Sequence, residues 1–128
     1  MAEARRLVNT IPEPSRTKAM ELLNTGLRLH EYEKVSDGEV VGKGGKRRAV
    51  FGRVSKQSVR EGRFRQDLAR VGLTPHRLRK VFATHLGRQV DVFDLCAVMG
   101  WSSVETARSY VGGSEDLAAK VAAVMEDE

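Results

Sequence analysis

Apolar and polar positions along this chain repeat with two periods, and those periods divide it into short elements. Ala4, Leu7, Val8 and Ile11 recur at the spacing of one helical face, which predicts an amphipathic helix over residues 2–11, ended by Pro12 and Pro14. Ser15 is expected to cap a second helix reaching Leu23, with Gly26 just past its end. Leu27 to Glu31 then leads into a polar turn at Ser36-Asp37-Gly38. Residues 39–42 and 47–54 read as two strands joined through Lys43-Gly44-Gly45, a β-hairpin with a glycine turn. Ser55 is expected to cap a basic helix running to about Arg70, interrupted in propensity by Gly62 and ended near Gly72. Thr74-Pro75 has the form of a helix start, a hydroxyl cap followed by proline in the first turn. Asp91 opens a short helix bearing Phe93, Leu95, Val98 and Met99. Ser102 and Glu105 form a capping box for a helix expected to carry Tyr110 and to stop at Gly112-Gly113. Ser114 caps a last helix with Leu117, Val121, Val124 and Met125 on one side. The pattern predicts a mainly α fold with one small antiparallel sheet, a hairpin or three strands.

At 128 residues the chain is the size of a single domain able to bury one core. No apolar run approaches the roughly 18 residues of a membrane helix, and Met1-Ala2-Glu3-Ala4-Arg5-Arg6 has no apolar signal segment. The single cysteine, Cys96, lies in the apolar stretch between Leu95 and Val98 and reads as a packed thiol, which suits a reducing compartment. A cytoplasmic setting without membrane association is therefore expected. Lysine and arginine number 22 against 17 acidic residues, a net charge of +5. Residues 43–80 hold most of the cations, while the chain ends in Glu126-Asp127-Glu128. A basic middle is the footprint expected for a phosphate backbone, although a solvated surface has the same composition.

The helix after Pro75 carries the first candidate chemistry. Leu78, Val81, Phe82 and His85 share a face predicted to point inward, and His76 and Arg79 sit three apart on another. A guanidinium matches two phosphate oxygens and keeps its charge, and an imidazole moves protons near neutral pH. A His-x-x-Arg pair taken alone is also an ordinary helix surface. Tyr110 lies off the Val104/Ala107/Val111 stripe, so core packing does not obviously claim it; taken alone it is also a half-buried structural tyrosine. Glycines 112 and 113 would let the chain move just after it.

Read in order, four segments change the picture. Thr25-Gly26-Leu27-Arg28-Leu29-His30-Glu31 resembles the Thr-Gly-Leu-Arg-x-x-Glu box of the tyrosine recombinases, the phage integrase family. Gly42-Lys43-Gly44-Gly45-Lys46-Arg47 resembles their Gly-Lys-Gly hairpin. His76-Arg77-Leu78-Arg79 followed by Phe82-Ala83-Thr84-His85-Leu86 resembles their His-x-x-Arg box, with Lys80 standing where a second His is common. The run from Met99-Gly100-Trp101-Ser102-Ser103 to Tyr110 resembles their C-terminal ending. Together the boxes cover nearly the whole chain.

The resemblance implies a tyrosine recombinase catalytic domain spanning residues 1–128, without the N-terminal domain that clamps the far side of the duplex. It implies site-specific DNA breaking and rejoining through a 3′-phosphotyrosine. Tyr110 would be the nucleophile, and Arg28 and Arg79 would clamp the scissile phosphate. Lys43 would be the general acid, with Lys46 as the second candidate because the interval from Arg28 to Lys43 is short for the family. The same interval implies a reduced first strand. His76 would assist proton transfer, and the Trp101 indole N–H would donate to a phosphate oxygen. No metal or other cofactor is implied, since arginines offset the developing charge and no Asp/Glu/His cluster has ligand spacing. The partners implied are double-stranded DNA, bound weakly and salt-sensitively without the clamp, and further copies of the chain as dimer or tetramer. Residues 114–128 would be a tail helix, either exchanged with a neighbouring protomer or packed on its own body. The setting would be a prokaryotic or viral nucleoid. A silent DNA-binding remnant and a type IB topoisomerase are the alternatives that share this ancestry or chemistry.

Overall fold

The computed structural model describes residues 1–111 and 114–126. Among them the order of elements is α1 (Ala2–Val8), α2 (Ser15–Thr25), β1 (Glu39–Val41), β2 (Arg47–Ala49), α3 (Glu61–Ala69), α4 (Pro75–Gly87), α5 (Val92–Met99), α6 (Val104–Arg108) and α7 (Ser114–Glu126). Short 3-10 turns cover Leu29–Lys34 and Lys43–Gly45. The chain is thus mostly helical with a small antiparallel sheet, as the pattern predicts. That sheet has two strands, with Val40 opposite Arg48.

Two apolar clusters organise the molecule. The first gathers Val8, Leu22, Leu23, Tyr32, Val40, Phe64, Leu68 and Leu78, drawn from α1 through the start of α4. Each of these larger aliphatic or aromatic side chains, fully buried, stabilises the fold by about 1.5–3 kcal/mol. The second is smaller: Ala83, Leu95, Met99 and Ala107, flanked by Phe82, Trp101 and Tyr110. α4 belongs to both, packing along α2 at one end and α5 at the other. Gly26 lets α2 and α4 approach: it ends α2 in the left-handed region, φ 74°, and a methyl there would overlap the Phe82 ring.

Where side chains bond their own neighbours, the expected caps appear. Thr74 Oγ1 accepts from the Arg77 N–H at 3.0 Å, and Asp91 Oδ1 accepts from the Asp94 N–H at 2.8 Å. Elsewhere distant partners win. Ser15 is the first residue of α2, not its cap; its hydroxyl donates to the buried Asp67 carboxylate at 2.6 Å. Ser55 caps nothing, because its N–H and hydroxyl both donate to the Glu21 carboxylate, at 3.0 Å each to Oε1. The Gln57 N–H donates to the Tyr32 hydroxyl at 2.9 Å, which ties this segment down outside any helix, and α3 starts only at Glu61. The second strand ends at Ala49, short of the expected residue 54. α1 stops at Val8, three residues early, where turn bonds replace the helical ladder.

The cap of α6 is Ser103, one residue after the expected Ser102, and α6 ends at Arg108. Tyr110 therefore lies beyond the helix, on the turn that follows. The inward face of α4 also differs from expectation: it runs through Pro75, Leu78, Arg79, Ala83 and Gly87, leaving His85 exposed. Arg79 shifts this face by entering the interior itself. Cys96 is half-buried, its Sγ 3.7 Å from the Ser103 carbonyl. The stop and hinge assigned to Gly112-Gly113 and the acidic end at Asp127-Glu128 lie outside the described residues, and so do the side chains on which the Ser114 cap and the place of Leu117 on the last stripe depend. Val121, Val124 and Met125 of α7 are exposed.

Candidate active site

Arg79 is the best-anchored of the candidate groups. It sits one turn into α4 and is only 6% exposed. Its Nη1 donates to the Gly26 carbonyl, and its Nη2 donates to the Met99 carbonyl at 2.8 Å. The guanidinium carbon lies 5.9 Å from the Trp101 ring centroid, within cation–π reach. Two carbonyls and an indole thus fix the group while leaving its remaining N–H donors for an anion. Burial first, then the charge of Arg28, push its pKa down to about 10, which leaves it cationic at neutral pH.

Arg28 is held differently. It precedes the 3-10 turn, where its backbone N–H donates to Glu31 Oε1 at 2.9 Å and its Nη1 reaches Glu31 Oε2 at 3.3 Å. Glu31 is fully buried and also receives Arg48, at 2.7 Å and 3.0 Å. Burial opposes the Glu31 charge, but the Arg48 hydrogen bonds, the Arg28 N–H and both guanidinium charges overcome it and hold the carboxyl at about 2. Glu31 is thus a permanent anion between two arginines.

The phenol arrives from the other side. Tyr110 stacks on Trp101 with ring centroids 5.3 Å apart and planes inclined by 26°. Its backbone presses on α4 at Gly87, where a methyl would overlap the Tyr110 carbonyl.

Five of the six sequence-predicted residues, Arg28, His76, Arg79, Trp101 and Tyr110, line one cavity of about 370 Å³. Lys43 does not line it. With Lys46 it lines an adjoining cavity of about 350 Å³ that shares Arg28, Trp101 and Thr106 as walls. Both lysines are exposed on the hairpin turn, so the two candidates for one role stand side by side. Three further cations bear on the site. Lys80 and Arg65, the latter from α3, line the main cavity, and Arg48 stands behind it. Arg48 had a sequence signal: it alternates with Val50 and Val54 on one face of the expected 47–54 strand, and a charge on an apolar face requires a partner. Arg65 had none beyond the basic character of its helix. Among the described residues no group of three or more His, Cys, Asp or Glu is placed to hold a metal ion, and no helix is long and apolar enough to cross a membrane.

Such a cavity can bind a phosphodiester between fixed cations and present a phenol to it. Comparisons with known proteins bear on the fold. No family model matches the chain. The tyrosine recombinase XerC of Herpetosiphon aurantiacus is 31% identical over 99 residues, covering 72% of this chain and 32% of that protein. The XerH site-specific recombinase bound to its difH substrate in a pre-cleavage complex superposes with a TM-score of 0.70 at 18% identity, over 99% of this chain and 52% of that one. The catalytic domain of bacteriophage HP1 integrase gives 0.66 at 18% identity, over 93% of this chain and 89% of that one. The chain has the fold of a tyrosine recombinase catalytic domain. It spans about a third of the length of the curated relative and about half of XerH.

Proposed function

We propose that this domain cleaves and rejoins DNA at a specific site through a 3′-phosphotyrosine. The convergence of Arg28, Arg79, His76, Trp101 and Tyr110 on one cavity, from three segments distant in sequence, carries the reading. The Tyr110 oxygen attacks the scissile phosphorus while His76 takes its proton. The P–O5′ bond breaks, and Lys43, or Lys46 beside it, gives a proton to the departing oxygen. Arg28, Arg79 and the Trp101 N–H offset the charge that gathers on the non-bridging oxygens. The phosphotyrosine conserves the energy of the broken bond, so a 5′-hydroxyl from a second strand reseals it by the reverse route. The proposed partners are double-stranded DNA and further copies of the chain, with the α7 segment exchanged between neighbours. The proposed setting is the nucleoid of a bacterium or its phage, in line with the bacterial relative.

A nicked suicide substrate tests this. The chain is expected to form a covalent adduct that Tyr110→Phe abolishes. An adduct that survives Tyr110→Phe would reject the nucleophile. Relaxation of supercoiled DNA lacking any target site would instead favour topoisomerase chemistry, and absence of any adduct a DNA-binding remnant.

A further inference from the structure

Arg48 is neither in the main cavity nor exposed: its side chain is 8% accessible. Its three bonding nitrogens serve two partners on different elements. Nη1 and Nη2 grip both oxygens of Glu31, which in turn holds Arg28 by backbone and side chain. Nε donates to the Val98 carbonyl at 3.2 Å, near the end of α5. Two glycines close around the same guanidinium. A methyl on Gly42 would stand 2.7 Å from Nη1, and one on Gly100 would stand 3.0 Å from Nη1 and from Cδ. Gly42 immediately precedes Lys43, and Gly100 immediately precedes Trp101. The group therefore touches the support of three candidate residues drawn from three elements, and touches none of them in the cavity.

We propose that Arg48 is the positioning residue of this site, fixing Arg28 through Glu31 and setting the backbone from which Lys43 and Trp101 project. The proposal rests on the phosphotyrosine reading above for the chemistry it serves. A planar guanidinium suits the task because it offers two parallel donors to a carboxylate and a third to a carbonyl, with a flat face that glycine backbones can approach. An ammonium keeps the charge and loses that geometry. A small misplacement of fixed charges costs rate steeply: about 1 Å corresponds to roughly 100-fold.

The test compares the wild-type chain with R48K on two nicked substrates. One carries the ordinary P–O5′ ester. The other carries a 5′-bridging sulfur, which leaves as thiolate and needs no proton from Lys43. R48K is expected to slow single-turnover adduct formation about 10- to 100-fold on the oxygen ester and clearly less on the sulfur ester. An unchanged rate constant, whatever the adduct yield, would overturn the proposal, since a merely structural loss lowers the active fraction and not the rate; equal slowing on both esters would strike Lys43 from it and leave Arg28 and Trp101. If R48K does not fold, E31Q/R48M takes its place, because it removes the buried Arg48 and Glu31 charges together. If the wild-type chain forms no adduct, the phosphotyrosine reading fails and Arg48 is judged on Trp101, the one tryptophan. With far-UV circular dichroism unchanged, the variant is expected to shift Trp101 emission and raise its quenching by acrylamide; an unaltered Trp101 would overturn the positioning role.

Discussion

The two apolar clusters hold their shares of the candidate site by opposite means. Around the larger one, charge is immobilised by buried polar networks: Arg28 and Arg48 on Glu31, and Glu21 on Tyr32 and Ser55. Around the smaller one, the phenol of Tyr110 is held by a stacked indole and by contact of its backbone with Gly87. The cations proposed to meet a phosphate are anchored by directional side-chain bonds. The proposed nucleophile rests on a short turn, its side chain held by stacking.

Mutations can break this contrast at its strongest point first. Glu31→Gln leaves Arg48 buried without its anion, and we expect a loss of about 3–5 kcal/mol in urea unfolding. The same carboxylate shapes the acid response. Its folded pKa of about 2 lies below the ordinary 4.5, so its contribution is complete above pH 4.5 and disappears as pH falls toward 2. Glu31→Gln should flatten that limb of the stability profile; an unchanged acid limb would show that other carboxylates dominate it.

Gly87→Ala probes the other side. The new methyl collides with the Tyr110 backbone, and the less tethered partner must move. We expect about 1–3 kcal/mol of destabilisation and a loss of the Trp101–Tyr110 stack, read as a change in tryptophan emission. Retention of the stack would mean that α4 yields instead.

Tyr32→Phe and Tyr110→Phe sharpen the comparison as a pair. The Tyr32 hydroxyl donates to Glu21, accepts from the Gln57 N–H and is pushed up to about 12 by burial and by that carboxylate. Its removal should cost about 1–3 kcal/mol and leave the covalent adduct intact. Tyr110→Phe should do the reverse, abolishing the adduct at nearly unchanged stability. The smallest effect is expected at Glu105→Gln, which breaks an exposed pair with Arg108 and should cost under about 1 kcal/mol.

The same division decides what was legible in the sequence. The starts of α4 and α5 could be read because Thr74 and Asp91 bond N–H groups three residues away. The start of α3 could not, because Ser55 answers to Glu21 across 34 positions. His85 and Arg79 exchanged their expected faces because the carbonyls of Gly26 and Met99, remote in sequence, draw the guanidinium inward. Three of the four motif boxes named the five residues that share a cavity, and the fourth named Lys43 beside it, since each box is a local spelling. The part of the site that joins the boxes, Arg48 on Glu31, is a pair 17 positions apart that no single box contains.

One helix sets the scale of the whole arrangement. Arg79 and Gly87 lie on the same stripe of α4, eight residues apart, so the backbone that carries the guanidinium and the point where the Tyr110 backbone docks are separated by a rise of about 12 Å along the axis. That helix is an internal ruler between the proposed anion clamp and the seat of the proposed nucleophile. Deleting one residue between them would shorten the ruler by about 1.5 Å and swing one end about 100° around the axis. Length, rather than composition, is what this stretch of α4 must conserve.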